Sequence, residues 1–303
     1  MTFPRLMLPV LGLMLVLIVA GCVTASTGPT EHRDNTFTLS GPVRLVVRST
    51  NGFVKVNAGG EGGEVRVQAT LRDAPRVRYT LEQENNTISV TAEVPQPVVA
   101  MGRSPGADIT LTVPIEVDLD IRTSNRAIEV TGARGDAEVR TSNGKLALTN
   151  FHGHVNGRTS NGPIELNDVE GTATLETSNG NVTLSGVKGT FDAETSNGQI
   201  VFDGELVPGG SNRLYTSNGV VDVTFRGTPS VSVDITTSNG DIETQIPIEA
   251  TTLRDDHVVG KIGGGEASLT IRTSNGDVRV RQRVECVCYP PRMIMRMERS
   301  WNR

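Results

Sequence analysis

The chain has 303 residues, the length of one large domain or two ordinary ones, with 33 Gly, 4% aromatic residues and 3 Cys. Three cysteines exclude a disulfide framework, and 34 acidic against 29 basic side chains, a net charge of -5, exclude non-specific binding to nucleic-acid phosphates. Collagen, coiled coil and wholesale disorder are excluded by composition, which leaves a Gly-rich β-type protein that builds its core from many small β-branched residues.

At the N-terminus, Arg5 precedes an apolar run from Leu6 to Ala20, broken only by Pro9 and Gly12. That is the hydrophobic region of an export signal and is shorter than the ~20 residues of a membrane span. The run ends in Val19-Ala20-Gly21-Cys22, which resembles the lipobox of bacterial lipoproteins. The resemblance implies removal of residues 1–21 and lipidation of Cys22; Val23 after it implies the outer membrane where the cell has one. Acyl chains at ~0.8 kcal/mol per buried methylene anchor such a protein stably. Residues 22–35, rich in Thr and Ser, read as a tether.

The next stretch, 36–115, alternates apolar and polar residues without a strict period, as in Val43-Arg44-Leu45-Val46-Val47 and Ile109-Thr110-Leu111-Thr112-Val113. It is expected to form irregular coils that cap the first edge of the strands C-terminal to it.

From 116 to 283 the chain is a repeat. Thr-Ser-Asn, followed by Gly or once by Arg126, recurs with its asparagine at Asn125, Asn143, Asn161, Asn179, Asn197, Asn218, Asn239 and Asn275, and Ser49-Thr50-Asn51-Gly52 is a relative. The spacings are 18, 18, 18, 18, 21, 21 and 36. The last is expected to be two repeats with one degenerate turn near His257, and the extra residues of the first 21 fall around Pro208-Gly209-Gly210. Counting from Asn, positions -6, -4, +3 and +5 are apolar (Ala173, Leu175, Ile164, Leu166), while their neighbours are mostly polar. Each unit is therefore two half-buried strands joined at the Asn-Gly bend, with a second Gly-containing turn at Gly153, Gly171 and Gly189.

Two all-β architectures satisfy this pattern. One is an antiparallel meander or sandwich, since Asn-Gly is a strong hairpin signal. The other is a single-domain parallel β-solenoid in which each 18-mer is a coil and equivalent residues stack ~4.8 Å apart. A hairpin needs only Asn-Gly, whereas stacked coils also explain recurrent Thr and Ser, because identical polar side chains can form ladders. The solenoid is the expected fold, with about nine coils over 116–283 making a rod of ~40 Å. Gly after each Asn is expected to supply a positive φ, which leaves Arg126 as a strained exception.

The run Ala107 to Pro114, then Leu119-Asp120-Ile121-Arg122-Thr123-Ser124-Asn125, then the repeated Thr-Ser-Asn-Gly units resemble the bacterial "putative adhesin" family, domain of unknown function 4097, over roughly residues 36–283. The resemblance implies a β-strand repeat protein of the cell envelope, often lipid-anchored. It transfers no catalytic residue.

No carboxylate pair stands isolated among apolar residues, so no tuned acid is evident. Position -3 reads Arg122, Arg140, Arg158, Glu176, Glu194, a solvated stripe suited to ladder ion pairs. One metal constellation is conceivable: stacking places Asp136 beneath His154 and Glu170 above His152, with Arg134 beside His152 opposing a cation. The tail, 284–303, with Cys286 and Cys288 and alternating methionines, resembles nothing upstream. The expected protein is a lipid-anchored, extracytoplasmic binding or scaffold component with no cofactor and no catalysis. Its partners would be the membrane, through Cys22, and a glycan or envelope protein, but not nucleic acid. The alternatives are a carbohydrate-active enzyme on a β-helix and a structural or stress-responsive component with no external ligand.

Overall fold

The computed structural model describes residues 28–60, 62–95 and 104–283. Cys22, the export signal and the tail 284–303 lie outside the described residues. The strands are β1 Glu31–Thr38, β2 Val43–Ser49, β3 Val54–Ala58, β4 Glu64–Arg72, β5 Arg78–Glu84, β6 Thr87–Glu93 and β7 Gly106–Val113. Next come β8 Val117–Thr123, β9 Ile128–Thr131, β10 Arg134–Arg140, β11 Leu146–Arg158, β12 Ile164–Thr177, β13 Val182–Thr195 and β14 Ile200–Leu206. The last eight are β15 Ser211–Asn218, β16 Val221–Phe225, β17 Val231–Asn239, β18 Ile242–Thr244, β19 Glu249–Leu253, β20 His257–Ile262, β21 Ala267–Asn275 and β22 Val278–Gln282.

Coils stack in parallel, as the period predicts. Asp136 pairs with His154, His152 with Glu170, and Leu148 with Leu166, each offset by one 18-residue unit. The antiparallel meander is thereby excluded for the body of the protein. Each coil contributes one strand before its Asn bend to a front sheet, and one strand after it to a side sheet. At the third corner β11, β12 and β13 bend sharply, with Asn150 and Asp168 at φ 53° and Gly186 at φ 69°. Asn, Asp and Gly are the residues that tolerate this left-handed conformation. Inward positions form columns of stacked apolar side chains, such as Leu148, Leu166, Leu184, Phe202 and Val223, all at most 1% exposed. Burial of each contributes about 1.5–3 kcal/mol.

The stacking order is not the chain order, and this corrects the reading of the 36-residue interval. Strand β21 lies between β15 and β17, and β22 between β16 and β18, so the last coil among the described residues inserts beneath the coil that precedes it. Residues 245–266 are not a coil with a degenerate turn. They hold a β19–β20 hairpin whose second strand pairs antiparallel with β17, and His257 opens β20. The N-terminal end does the same, because β2 lies between β6 and β8 while β3 lies between β7 and β9. The ninth layer expected between 116 and 283 is therefore supplied from outside that span, by the Asn51 coil.

Among the described residues, antiparallel pairs occur only at the two ends, in β1–β4, β4–β7, β5–β6, β17–β20 and β19–β20. Strand β1 begins at Glu31, so residues 31–35 belong to the fold rather than to the tether. Its sequence, Glu31-His32-Arg33-Asp34-Asn35, puts charge on an outer edge, and β18 on the opposite end is only three residues long. Both features oppose edge-to-edge polymerisation of an open solenoid.

Candidate functional site: a serine and asparagine ridge

The Asn bends align into one ridge along the rod. Nine side-chain amides form a continuous ladder in the order Asn51, Asn125, Asn143, Asn161, Asn179, Asn197, Asn218, Asn275, Asn239, each Nδ2 donating to the preceding Oδ1 at 2.7–3.0 Å. At ~4.8 Å per layer the ladder is ~38 Å long. All amides point the same way, so neighbouring bonds polarise one another. Asn51 closes the N-terminal end by donating to the Pro105 carbonyl at 3.2 Å.

The other motif positions have separate reasons. The threonines are buried, and each Oγ1 donates to the carbonyl of the residue after Asn in the adjoining coil, as Thr159 does to Gly144 at 3.1 Å and Thr177 to Gly162 at 3.0 Å. A Cβ at Gly162 would lie 1.8 Å from the Gly144 carbonyl oxygen. The Gly after Asn is thus required by close approach between coils. The expected positive φ holds only at the ends of the stack, where Gly52, Gly240 and Gly276 have φ 154–158°; Gly144, Gly162, Gly180, Gly198 and Gly219 lack it, and so does Arg126.

Serine is the exception. Ser142, Ser160, Ser178, Ser196, Ser217, Ser238 and Ser274 are exposed, and no hydroxyl among them makes a hydrogen bond within the described residues. Their backbone carbonyls do join the ladder, as when Asn179 N–H donates to Ser160 O at 2.9 Å, but any residue would supply that group. The ridge therefore displays hydroxyls at the ~4.8 Å layer spacing that internal hydrogen bonding does not use.

The charged stripe beside the ridge is internally paired. Asp120 lies between Arg48, at 2.5 Å, and Arg122, at 3.4 Å; Glu138 bridges Arg122 and Arg140 at 3.0 and 2.9 Å; Arg158 meets Glu176 at 2.7 Å. Burial pushes the Asp120 carboxyl up, but the hydrogen bond from Arg48, with the charges of Arg48, Arg122 and Arg44, outweighs it and holds the group below its ordinary value. The four residues of the metal constellation sit where the period places them, as two separate pairs: His154 Nδ1 is 3.1 Å from Asp136, and His152 Nε2 is 3.8 Å from Glu170. Among the described residues no group of three or more His, Cys, Asp or Glu side chains gathers in a metal-binding arrangement.

A feature the sequence did not announce lies on the front sheet near the C-terminal end, where β21, β17 and β20 form an open trough of about 320 Å³. Its residues are brought together by the inserted coil, so no sequence spacing signals them.

The family model described as Toastrack DUF4097 matches residues 43–281. Among solved structures, the chain is similar to a "putative adhesin" from Bacteroides fragilis, at 11% identity and a TM-score of 0.42, over 84% of this chain and 97% of that one. It is also similar to a "putative lipid binding protein" from Parabacteroides distasonis, at 12% identity and a TM-score of 0.39, over 83% and 97%. A third is a "putative cell adhesion protein" from Clostridium sporogenes, at 8% identity and a TM-score of 0.28, over 84% and 100%. No curated protein matches the chain.

Proposed function

The chain belongs to the Toastrack DUF4097 family, and from that premise we propose that it is a lipid-anchored binding or scaffold protein of the cell envelope that performs no catalysis and presents the serine and asparagine ridge to a hydroxyl-rich partner. The observation that carries this reading is the row of exposed Ser hydroxyls. Thr, Asn and Gly each recur for a reason internal to the stack, whereas Ser recurs facing outward with its donor and acceptors uncommitted. An extended glycan, which carries O–H donors and acceptors along its length, can pair with such a row of uncommitted hydroxyls. Anchoring would come from Cys22, which would set the rod at a membrane surface on the span 22–30.

The test is a glycan array probed with the full chain and with the triple variant Ser142→Glu, Ser160→Glu, Ser178→Glu. Binding by the parent and loss in a variant of unchanged melting temperature is the expected result; equal binding by both removes the ridge from the function. Metabolic labelling with a fatty acid, compared between the parent and Cys22→Ala, tests the anchor independently.

A further inference from the structure

We propose that the trough formed by β21, β17 and β20 is a second binding site, separate from the ridge, and that it takes a single acidic sugar unit. It is an open depression of about 320 Å³, with Ser232, Asp234, Thr251, Val259, Lys261 and Ser268 among its lining residues. Register explains the gathering. Thr270 pairs with Asp234 and Asp234 with Val259; Ser268 pairs with Ser232 and Ser232 with Lys261. Two outward rows thus cross three strands that are far apart in the chain, and Thr251 adds a wall from β19.

The hydrogen-bond inventory selects the ligand. The hydroxyl protons are mostly in use: Ser232 donates to Gly265 O at 3.0 Å, Thr251 to Val259 O at 3.2 Å and Ser268 to Gly210 O at 3.4 Å. Their lone pairs remain as acceptors. Asp234 adds a carboxylate that uses one oxygen toward His257 Nε2, at 3.1 Å, and leaves the other. The polar atoms that the trough offers are thus mostly acceptors set in largely apolar walls, which suits a ligand with several O–H donors and an apolar face. Lys261 is the one cation lining it, and among the described residues no carboxylate stands within ion-pair distance of its ammonium. A ring that carries several hydroxyls and one carboxylate satisfies both halves, its carboxylate toward Lys261 and its hydroxyls toward the acceptors.

A neutral hexose would make no charged contact with Lys261, which is exposed and stands across from Glu249 on β19, and a bare carboxylate or phosphate would leave the acceptors unmatched. The volume fits one ring of pyranose size, at the lower end of small-molecule sites. The floor of the trough is formed by the buried Val233, Gly260 and Leu269, but Lys261 and Asp234 face outward, so substitutions at these two positions do not disturb the buried columns.

The experiment is ligand-observed NMR titration of the full chain with D-glucuronate, D-glucose and acetate, repeated on Lys261→Gln, Asp234→Asn and, as a remote control, Lys188→Gln. Expected are saturable binding of glucuronate in the parent, at least about tenfold weaker binding in Lys261→Gln, weakened binding in Asp234→Asn, and no change in Lys188→Gln. Glucose binding as tightly as glucuronate, acetate displacing glucuronate at equal concentration, or no saturation with any probe would each overturn the proposal. If Asp234→Asn fails to fold, the Lys261 comparison still decides, because that side chain reaches no carboxylate among the described residues.

Discussion

Asn275 accepts the amide of Asn239 at 3.0 Å and donates its own to Asn218 at 2.9 Å, although 36 and 57 residues separate it from them. The last coil among the described residues is thus held on both faces by coils made earlier. A solenoid that ended in sequence order would have its C-terminal coil paired on one face only and free to fray. Insertion places that coil in the interior and leaves the outermost position to a coil covered by the β19–β20 hairpin on the front sheet.

This order predicts a crosslinking pattern. The double variant Asn218→Cys/Asn275→Cys should join through a disulfide or a zero-length reagent, since its sites are one layer apart. Asn218→Cys/Asn239→Cys should not, because ~9.6 Å then separates the sites. The reverse pattern on non-reducing gels would establish stacking in chain order.

Within the motif, buried and exposed hydroxyls should part company. Thr159→Val removes the donor to the Gly144 carbonyl and leaves a buried acceptor unmatched, at a cost of about 1–3 kcal/mol. Ser160→Ala, one residue along, should change stability by less than ~0.5 kcal/mol. Urea unfolding of the two single variants checks both, and a large loss in Ser160→Ala would give serine a structural duty and weaken the ridge as a binding surface.

Gly162→Ala tests the close approach of coils. With the new Cβ placed 1.8 Å from a backbone carbonyl oxygen, two coils must separate, and the expected loss is at least ~3 kcal/mol or failure to fold. Gly209 offers the contrast. Its φ is 76°, yet nothing lies within 4 Å of a Cβ there, so Gly209→Ala should incur only the left-handed backbone cost of roughly 1–2 kcal/mol.

Much of this architecture is legible in the sequence, and the reason is locality. The 18-residue period encodes the offset of parallel pairing, and alternation encodes which side chains face inward, as Leu148 and Leu166 do. The two pairs His154–Asp136 and His152–Glu170 come from the same arithmetic. Coil order does not, because every coil presents the same Thr, Ser and Asn to either neighbour. A 36-residue interval is equally compatible with two units or with one unit and a hairpin. Strand β20 alternates like any coil strand, so its antiparallel direction leaves no mark. The role of Gly162 is hidden for a related reason, since the atom that excludes a side chain belongs to another coil. The trough at Asp234 and Lys261 inherits this opacity entirely.

Asn212 predicts how the longer coils are accommodated. It is 1% exposed in the core, where its Oδ1 accepts from Phe191 N–H at 2.8 Å and its Nδ2 donates to Ser268 O at 2.9 Å. The side chain replaces ladder bonds at the point where the extra residues near Gly209 displace the backbone. Asn212→Leu strands one donor and one acceptor, for an expected loss of about 2–5 kcal/mol, while Asn212→Asp keeps the first bond and sets a carboxylate against the Ser268 carbonyl. Hydrogen exchange should locate the loosening at Phe191 and its layer; protection unchanged there would mean that water substitutes for the amide.

The Arg48–Asp120 pair predicts a pH dependence. Asp120 has a carboxyl held below its ordinary value in the folded protein, so the unfolded chain binds its proton more readily. By linkage, the stabilisation is fully present above the ordinary carboxylate pKa of ~3.9 and disappears as pH falls through the lower folded value. Arg48 is one-third exposed, so the contribution at pH 7 is modest, ~1 kcal/mol. Asp120→Asn should therefore melt below the parent at pH 7 and approach it below pH ~3. Added salt should narrow the neutral-pH gap only slightly, since the Asp120 side chain is 14% exposed and its pair is partly shielded from counterions. A gap constant from pH 7 down to pH ~3 would mean that Asp120 acts through packing rather than through charge.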